Sequence, residues 1–438
     1  MKKIVISFAA GLAALFACTP ANNESVKNPI TVASPTPTEQ ITKVGLTETQ
    51  KGYVDGANMM AFRLLKQLYE GSDMICSPLS LQYALAMTAN GASGETLQEI
   101  IDFLGYGSDG IDALNEYCKI LMEQLPAVSL QAKLKVTNAL LVNDEFPLLP
   151  SFQKKVEENY YAAVENADFS DPALIAARIN DWAKRNTDGF IDKVLEPEEI
   201  YKDAVAFLMN ALYFKAKWAG SEYDPMFTEG GTYEDYFNFT GTASKKVKYM
   251  QTSGNYHYAE FDDFKVLALP FARYKYYMYF LLPKDNNLDE VIGKITDITW
   301  KDITSALSTG YEVHVKLPKF DIENKYDLSG ALKALGVQRA FKMGSAEFDN
   351  MFAPKEEDYD YAIANVIQKA RISVAEWGTE AAAVTVVQMV GESAAGPGEE
   401  PKIVWFVADH PFAFFIAESS SNTILFEGAF TGRSLRAE

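Results

Sequence analysis

A chain of 438 residues that is 48% hydrophobic can bury one large core or two ordinary ones, and only its N-terminal end lacks the patterning of a folded body. Its 59 acidic residues against 40 basic ones leave a net charge of -19, and no run of Lys or Arg reverses that sign locally. Such a surface repels nucleic acid and anionic membranes, so neither is a partner of the bare polypeptide.

The chain opens with Lys2 and Lys3, an apolar run over residues 4 to 17, and Cys18. The run is too short to cross a bilayer as a mature helix and has the shape of an export signal. Leu15-Phe16-Ala17-Cys18 resembles a bacterial lipobox, although Phe16 departs from the small residue usual at its place. The resemblance implies that residues 1–18 are a signal peptide with its lipidation cysteine, Cys18, and that acyl chains anchor the exported protein in the cell envelope. Simple secretion is the alternative. Residues 19–45, rich in Thr, Pro, Asn and Ser without periodicity, read as a solvated tether with a reach of roughly 30 Å.

Residues 46–438 read as a single α+β domain. Ala57, Met60, Ala61, Leu64, Leu65 and Leu68 recur at helical spacing, and a second helix opens with Ser77 as N-cap and Pro78 at the first helical position. A third follows Ser93 with the stripe Leu97, Ile100, Ile101 and Leu104, and further helices hold Phe152, Val156 and Tyr160, then Ile175, Ile179 and Trp182. Residues 205–214 read as a strand buried on both faces, 265–271 and 276–282 as a pair, and 313–317 as an alternating strand. A helix over 328–335 ends at Gly336, and strands at 403–408, 412–417 and 423–430 close the chain. Cys76 and Cys118 read as buried free thiols.

Catalytic signals are weak. His257, His314 and His410 stand far apart and match no metal or triad pattern, so they read as structural. The G-x-G-x-x-G match at Gly105, Gly107 and Gly110 follows a helix instead of a strand and reads as a loop. Glu356, Glu357, Asp358 and Asp360 lack the spacing of a calcium loop. No cofactor is implied, and the stretch 114–125, with one Lys against two Glu, offers no face to a polyanion.

Residues 376–385, Glu376-Trp377-Gly378-Thr379-Glu380-Ala381-Ala382-Ala383-Val384-Thr385, read as a strand not yet placed in a sheet. Gly378 permits a bend, and the small side chains after it slide between strands at little steric cost. An alternating strand precedes the segment, and a Gly, Ala, Pro and Glu-rich loop over 391–402 follows it.

Together these segments resemble the serpin family. Ser77-Pro78-Leu79-Ser80 and Asn90-Gly91-Ala92-Ser93-Gly94-Glu95-Thr96 are similar to its early helix and following turn. Asn210-Ala211-Leu212-Tyr213-Phe214-Lys215-Ala216-Lys217-Trp218 is similar to its central strand, and Leu317-Pro318-Lys319-Phe320 and Ala408-Asp409-His410-Pro411-Phe412 match later blocks in order. The resemblance implies the serpin fold, helices packed on three β-sheets with an exposed reactive loop over about 376–402, above a five-stranded central sheet. It implies a monomeric suicide inhibitor of serine or cysteine proteases and not an enzyme. A protease cleaves the loop, and the freed hinge inserts into the sheet and traps the acyl-enzyme.

The hinge would be Glu376 and Gly378 to Thr385. On insertion Thr379, Ala381, Ala383 and Thr385 share one face, and Glu380, Ala382, Val384 and Val386 the other. The sheet-opening region would comprise Ser77, Ser80, Asn210, Trp218 and Gln368. Gln368 stands where the family commonly has a histidine, and Trp377 replaces a usual polar residue and is expected to pack on the sheet top. Counting from Gly378 puts the reactive bond at Glu392-Ser393, with Val390-Gly391 the alternative. The targets implied are Glu-specific, elastase-like or chymotrypsin-like enzymes. A non-inhibitory serpin acting as a binding protein or chaperone is the competing reading.

Overall fold

The computed structural model describes residues 2–11, 29–30, 35–107, 109–201, 203–220, 225–240, 243–355, 359–379 and 401–433. They fall in two compact units. The first comprises Met1–Leu68, Cys76–Phe214 and Glu323–Arg371, and the second Tyr69–Ile75, Lys215–Ile322 and Ile372–Glu438.

Helices α1 (Glu48–Leu68), α2 (Pro78–Ala89), α3 (Gly94–Leu104), α4 (Gly110–Gln124), α5 (Pro150–Tyr160) and α6 (Pro172–Asn186) belong to the first unit, with a short helix at Ser329–Ala334. Helix α2 starts where its caps dictate: the Ser77 hydroxyl accepts from the Ser80 N–H at 3.1 Å and Pro78 follows at once. Every residue of α2 is buried, which explains why it shows no amphipathic stripe. Gly105 ends α3 in the left-handed region at φ 81°, and its backbone lies so close to Gly56 of α1 that a Cβ on Gly56 would stand 2.5 Å from the Gly105 carbonyl. The glycine triplet is a helix-packing loop, as its position after a helix implies.

The strands, in chain order, are β1 (Lys2–Gly11), β2 (Met74–Cys76), β3 (Lys133–Asn143), β4 (Ala163–Ala167), β5 (Ala204–Lys215), β6 (Tyr233–Thr240), β7 (Ala243–Gly254), β8 (His257–Glu260) and β9 (Phe264–Phe271). They continue with β10 (Tyr276–Pro283), β11 (Tyr311–Pro318), β12 (Phe320–Asp327), β13 (Tyr359–Ala375), β14 (Gly378–Thr379), β15 (Lys402–Val407), β16 (Phe412–Glu418) and β17 (Ile424–Phe430). Among the described residues they make three sheets, ordered β12-β13-β1-β5-β3-β4 with β14 on β13, then β2-β17-β16-β10-β9-β8, then β15-β11-β7-β6.

The first sheet departs from the five-stranded expectation. Strands β12, β13, β5, β3 and β4 supply five, and β1 lies between β13 and β5, parallel to both. Residues read as an apolar export signal are thus also apolar enough to take a strand position, since signal cores and buried parallel strands share one composition. Strand β5 is buried along nearly its whole length, matching its unbroken apolar run. Strand β13 is longer than its alternation shows: it starts at Tyr359, and Asn365, Val366, Ile367 and Gln368 are buried in succession before the alternation begins.

The stretch read as a solvated tether is partly tied down. Ile30 and Val44 are buried, Arg185 donates to the Ile30 carbonyl at 3.0 Å, and the Ile41 N–H donates to the Ala127 carbonyl at 2.9 Å. Isolated apolar residues in a polar segment gain enough on burial to hold it against a helix. Cys76 and Cys118 are buried thiols outside any disulfide, and burial pushes the Cys118 thiol up to about 12. In the second unit Phe320, Phe412 and Phe430 stack and interlock within 5.9 Å of one another.

Candidate functional site

After β13 the chain turns through Glu376 and Trp377 and comes back as β14, antiparallel, pairing Thr379 with Val374 and Gly378 with Ala375. Thr379 also bridges Ala216: its N–H donates to the Ala216 carbonyl at 3.0 Å, and its hydroxyl accepts from the Ala216 N–H at 3.2 Å. The segment expected to be an unplaced strand therefore has Gly378 and Thr379 in the sheet already. Gly378 is what allows it. At φ 122° a side chain is strained, and a Cβ would stand 2.1 Å from the Ala216 carbonyl oxygen. Thr379 is 3% exposed, its side chain buried against the sheet.

The turn is fixed by a buried acid. Glu376 is 5% exposed, and its carboxylate takes Lys319 at 2.7 Å on one oxygen and the Thr232 hydroxyl at 2.5 Å on the other. Burial pushes this carboxyl up, but the bonds from Lys319 and Thr232 outweigh it and hold the pKa below the ordinary glutamate value. Trp218 stacks on Phe271 at 4.1 Å and donates its indole N–H to the Ala375 carbonyl at 2.8 Å. Trp377 is 48% exposed instead of packed on the sheet, with its indole N–H directed at Glu229 at 3.4 Å. Gly378 and the anchored Glu376 set the backbone direction, and that direction turns Trp377 outward.

In the first unit Gln368 of β13 holds the backbone of Ser77, accepting from its N–H at 2.9 Å and donating to its carbonyl at 3.0 Å. The Ser80 hydroxyl donates to Asn210 at 2.5 Å, and Asn210 donates to Asn138 at 2.7 Å. Ala10 of β1 is the register partner of both Gln368 and Asn210. Four of the five residues grouped for sheet opening, Ser77, Ser80, Asn210 and Gln368, thus belong to one unit, while Trp218 belongs to the hinge anchor of the other.

Lys319, Thr232 and Asn138 were not singled out by sequence reasoning. Lys319 lies inside the block Leu317-Pro318-Lys319-Phe320, and a lysine ending an apolar strand opposite the buried-glutamate turn was the available signal. Nothing local distinguishes Thr232 or Asn138. Cys18, Glu380, Ala381, Ala382, Ala383, Val384, Thr385 and the reactive-bond candidates Val390, Gly391, Glu392 and Ser393 lie outside the described residues.

His410 bonds Asp409 and the Pro283 carbonyl, both at 2.8 Å, and His314 stacks on Trp405. No group of metal-binding side chains exists among the described residues.

The serpin family model, described as serine protease inhibitor, matches residues 55–432, and the chain belongs to that family. It is 32% identical to an uncharacterized serpin-like protein of Thermococcus kodakarensis, over 93% of this chain and 92% of that one. Among solved structures it is similar to the thermophilic serpin tengpin in its native state, at 28% identity and TM-score 0.75, covering 91% of this chain and 97% of the other. It is also similar to human thyroxine-binding globulin, at 25% identity and TM-score 0.74, covering 88% and 99%. The serpin fold follows, and serpins are generally inhibitors, not catalysts.

The depressed Glu376 pKa sets the sign of a pH effect. Its contribution is fully present above the unfolded value of about 4.3 and is lost as pH falls through the lower folded value. Glu376→Gln should cost about 1.5–3 kcal/mol at pH 7, the range for a hydrogen bond to a charged group. The difference from wild type in urea midpoint should shrink between pH 5 and pH 3; an equal difference at both would count against the anchor.

Proposed function

We propose that this protein is a suicide inhibitor of serine proteases, in which cleavage of the loop beyond Thr379 lets the hinge continue into the sheet and trap the acyl-enzyme. The observation that carries the reading is Gly378-Thr379 already paired with β13 and bridged to Ala216. From there Ala381, Ala383 and Thr385 present only small, uncharged side chains to the inward face, and Glu380 falls on the other. The reactive bond is Glu392-Ser393, with Val390-Gly391 as the elastase-type alternative. No Lys or Arg occurs from 381 to 401, so an acid-lined specificity pocket finds nothing to bind.

The thyroxine-binding globulin likeness supports the second reading, a binding protein on the same fold. The two separate on incubation with elastase-type, chymotrypsin-type and Glu-specific proteases. Adducts that survive boiling in detergent are expected, and Thr379→Arg should loosen the paired hinge and turn the protein into a substrate, because the buried Thr379 position holds no partner for a guanidinium. Cleavage without adduct across the panel would leave only the binding reading.

The protein acts, on this reading, after export, anchored through lipid on Cys18 or secreted. Cys18→Ala should abolish fatty-acid labelling, and an unchanged label would move the modification elsewhere.

Processing before Cys18 removes residues 1–17, β1 with them, and frees the place between β13 and β5 for the loop. A chain that retains those residues should therefore trap protease more slowly than one that starts at residue 19. Equal rates would mean that β1 leaves the sheet without cost.

A further inference from the structure

Three tyrosine hydroxyls lie in the core of the first unit with nothing to bond. Tyr83 of α2 and Tyr117 of α4 are fully buried, Tyr106 of the loop after α3 is 2% exposed, and none of the three oxygens has a hydrogen-bond partner among the described residues. Their rings are well fixed. Tyr106 and Tyr117 meet at 5.5 Å between centroids, and both pack edge-on against Tyr53, at 5.0 and 5.6 Å. Hydrophobic packing alone does not call for tyrosine here, because phenylalanine fills such places elsewhere in this core, at Phe62 and Phe103. A hydroxyl buried without a partner carries a cost that phenylalanine avoids.

The three oxygens share one neighbourhood. Tyr117 precedes Cys118 on α4, Tyr83 follows Gln82 on α2, and the Gln82 amide donates to the Cys118 sulfur at 3.8 Å. Burial raises all three phenols well above their ordinary value, and the Cys118 thiol adds to the rise in each. They are close enough to feel the thiol and one another, yet none bonds directly to it. Polar atoms set apart in this way are the usual setting of a bridging water. The amides nearby are committed already: Asn90 and Asn115 bond each other at 2.8 Å in both directions, and the Tyr160 hydroxyl donates to Asn115 at 2.6 Å.

The chemistry of the lining decides the occupant. Neutral phenols and a thiol kept protonated by its burial offer no charge to hold an ion, and a phenol both donates and accepts, as water does. A buried water makes about three hydrogen bonds, which the hydroxyls and the Cys118 sulfur can supply. We propose that Tyr83, Tyr106 and Tyr117 bind ordered water beside Cys118, forming an internal hydration site between α2, α4 and the loop after α3. The site belongs to the fold and stands whether or not the chain inhibits a protease.

The test compares Tyr83→Phe, Tyr106→Phe and Tyr117→Phe with the wild-type full chain by melting midpoint, and locates solvent in a crystal structure at a resolution that shows ordered water. Phenylalanine keeps the ring and removes only the oxygen, so each variant takes a partner from the bound water and should melt about 2 °C lower than wild type. Water density is expected within hydrogen-bond distance of the three hydroxyls. A dry site reverses the sign, since deleting an unbonded oxygen leaves a variant melting at or above wild type. That reversal in two of the three variants overturns the proposal, and so does a lack of solvent density between the hydroxyls. Density for a larger molecule there overturns water as the occupant.

Discussion

At Gly378 the backbone approaches the Ala216 carbonyl so closely that no Cβ fits, and the turn around Glu376 and the bridge at Thr379 depend on this one approach. Because the strand enters the sheet there, Thr379 takes hydrogen bonds from and to Ala216, and the turn before it must bury Glu376. A buried carboxylate is costly alone, so Lys319 and Thr232 become necessary companions. The hinge is thus started and then clamped. On the inhibitor reading, extension past Thr379 would need no new nucleation, since two backbone pairs exist already.

The second polar joint lies lower on β13. Gln368 grips both backbone groups of Ser77, and a neutral amide does so without a titratable group. An imidazole at that place would gain or lose a proton between pH 5 and 8 and would change its donors as it did so. With glutamine the joint is indifferent to pH over that range. Glu376, whose carboxyl is held below the ordinary value, responds to acid at pH values well below those a histidine would report.

Much of this was legible in the residues and some was not. Ser77-Pro78 announced a helix start because capping is local chemistry, and the apolar run of β5 announced a doubly covered strand because both its faces are buried. Gly378 and the small residues after it marked the hinge, since only a steric argument was needed. The partners of Glu376 were illegible for the opposite reason: Thr232 lies 144 residues away and carries no local mark of its role. Trp377 misled because an aromatic beside a strand reads as buried, whereas the backbone direction set by Glu376 and Gly378 turns it outward. Strand β1 was hidden by ambiguity of composition, one apolar decapeptide fitting both an export signal and a parallel strand.

That ambiguity bears on what the sheet accepts. The place between β13 and β5 takes β1 through backbone pairing, Lys2–Gly11 with β13 and Val5–Gly11 with β5, with one register shift on each side. A slot that accepts an unrelated segment of the same chain is selective for strand character more than for sequence. On the inhibitor reading, selectivity for the loop would come from position: Thr379 is already bridged to Ala216, so a continuation of the strand would add to an existing pair, whereas any other segment would have to form its first pair unaided.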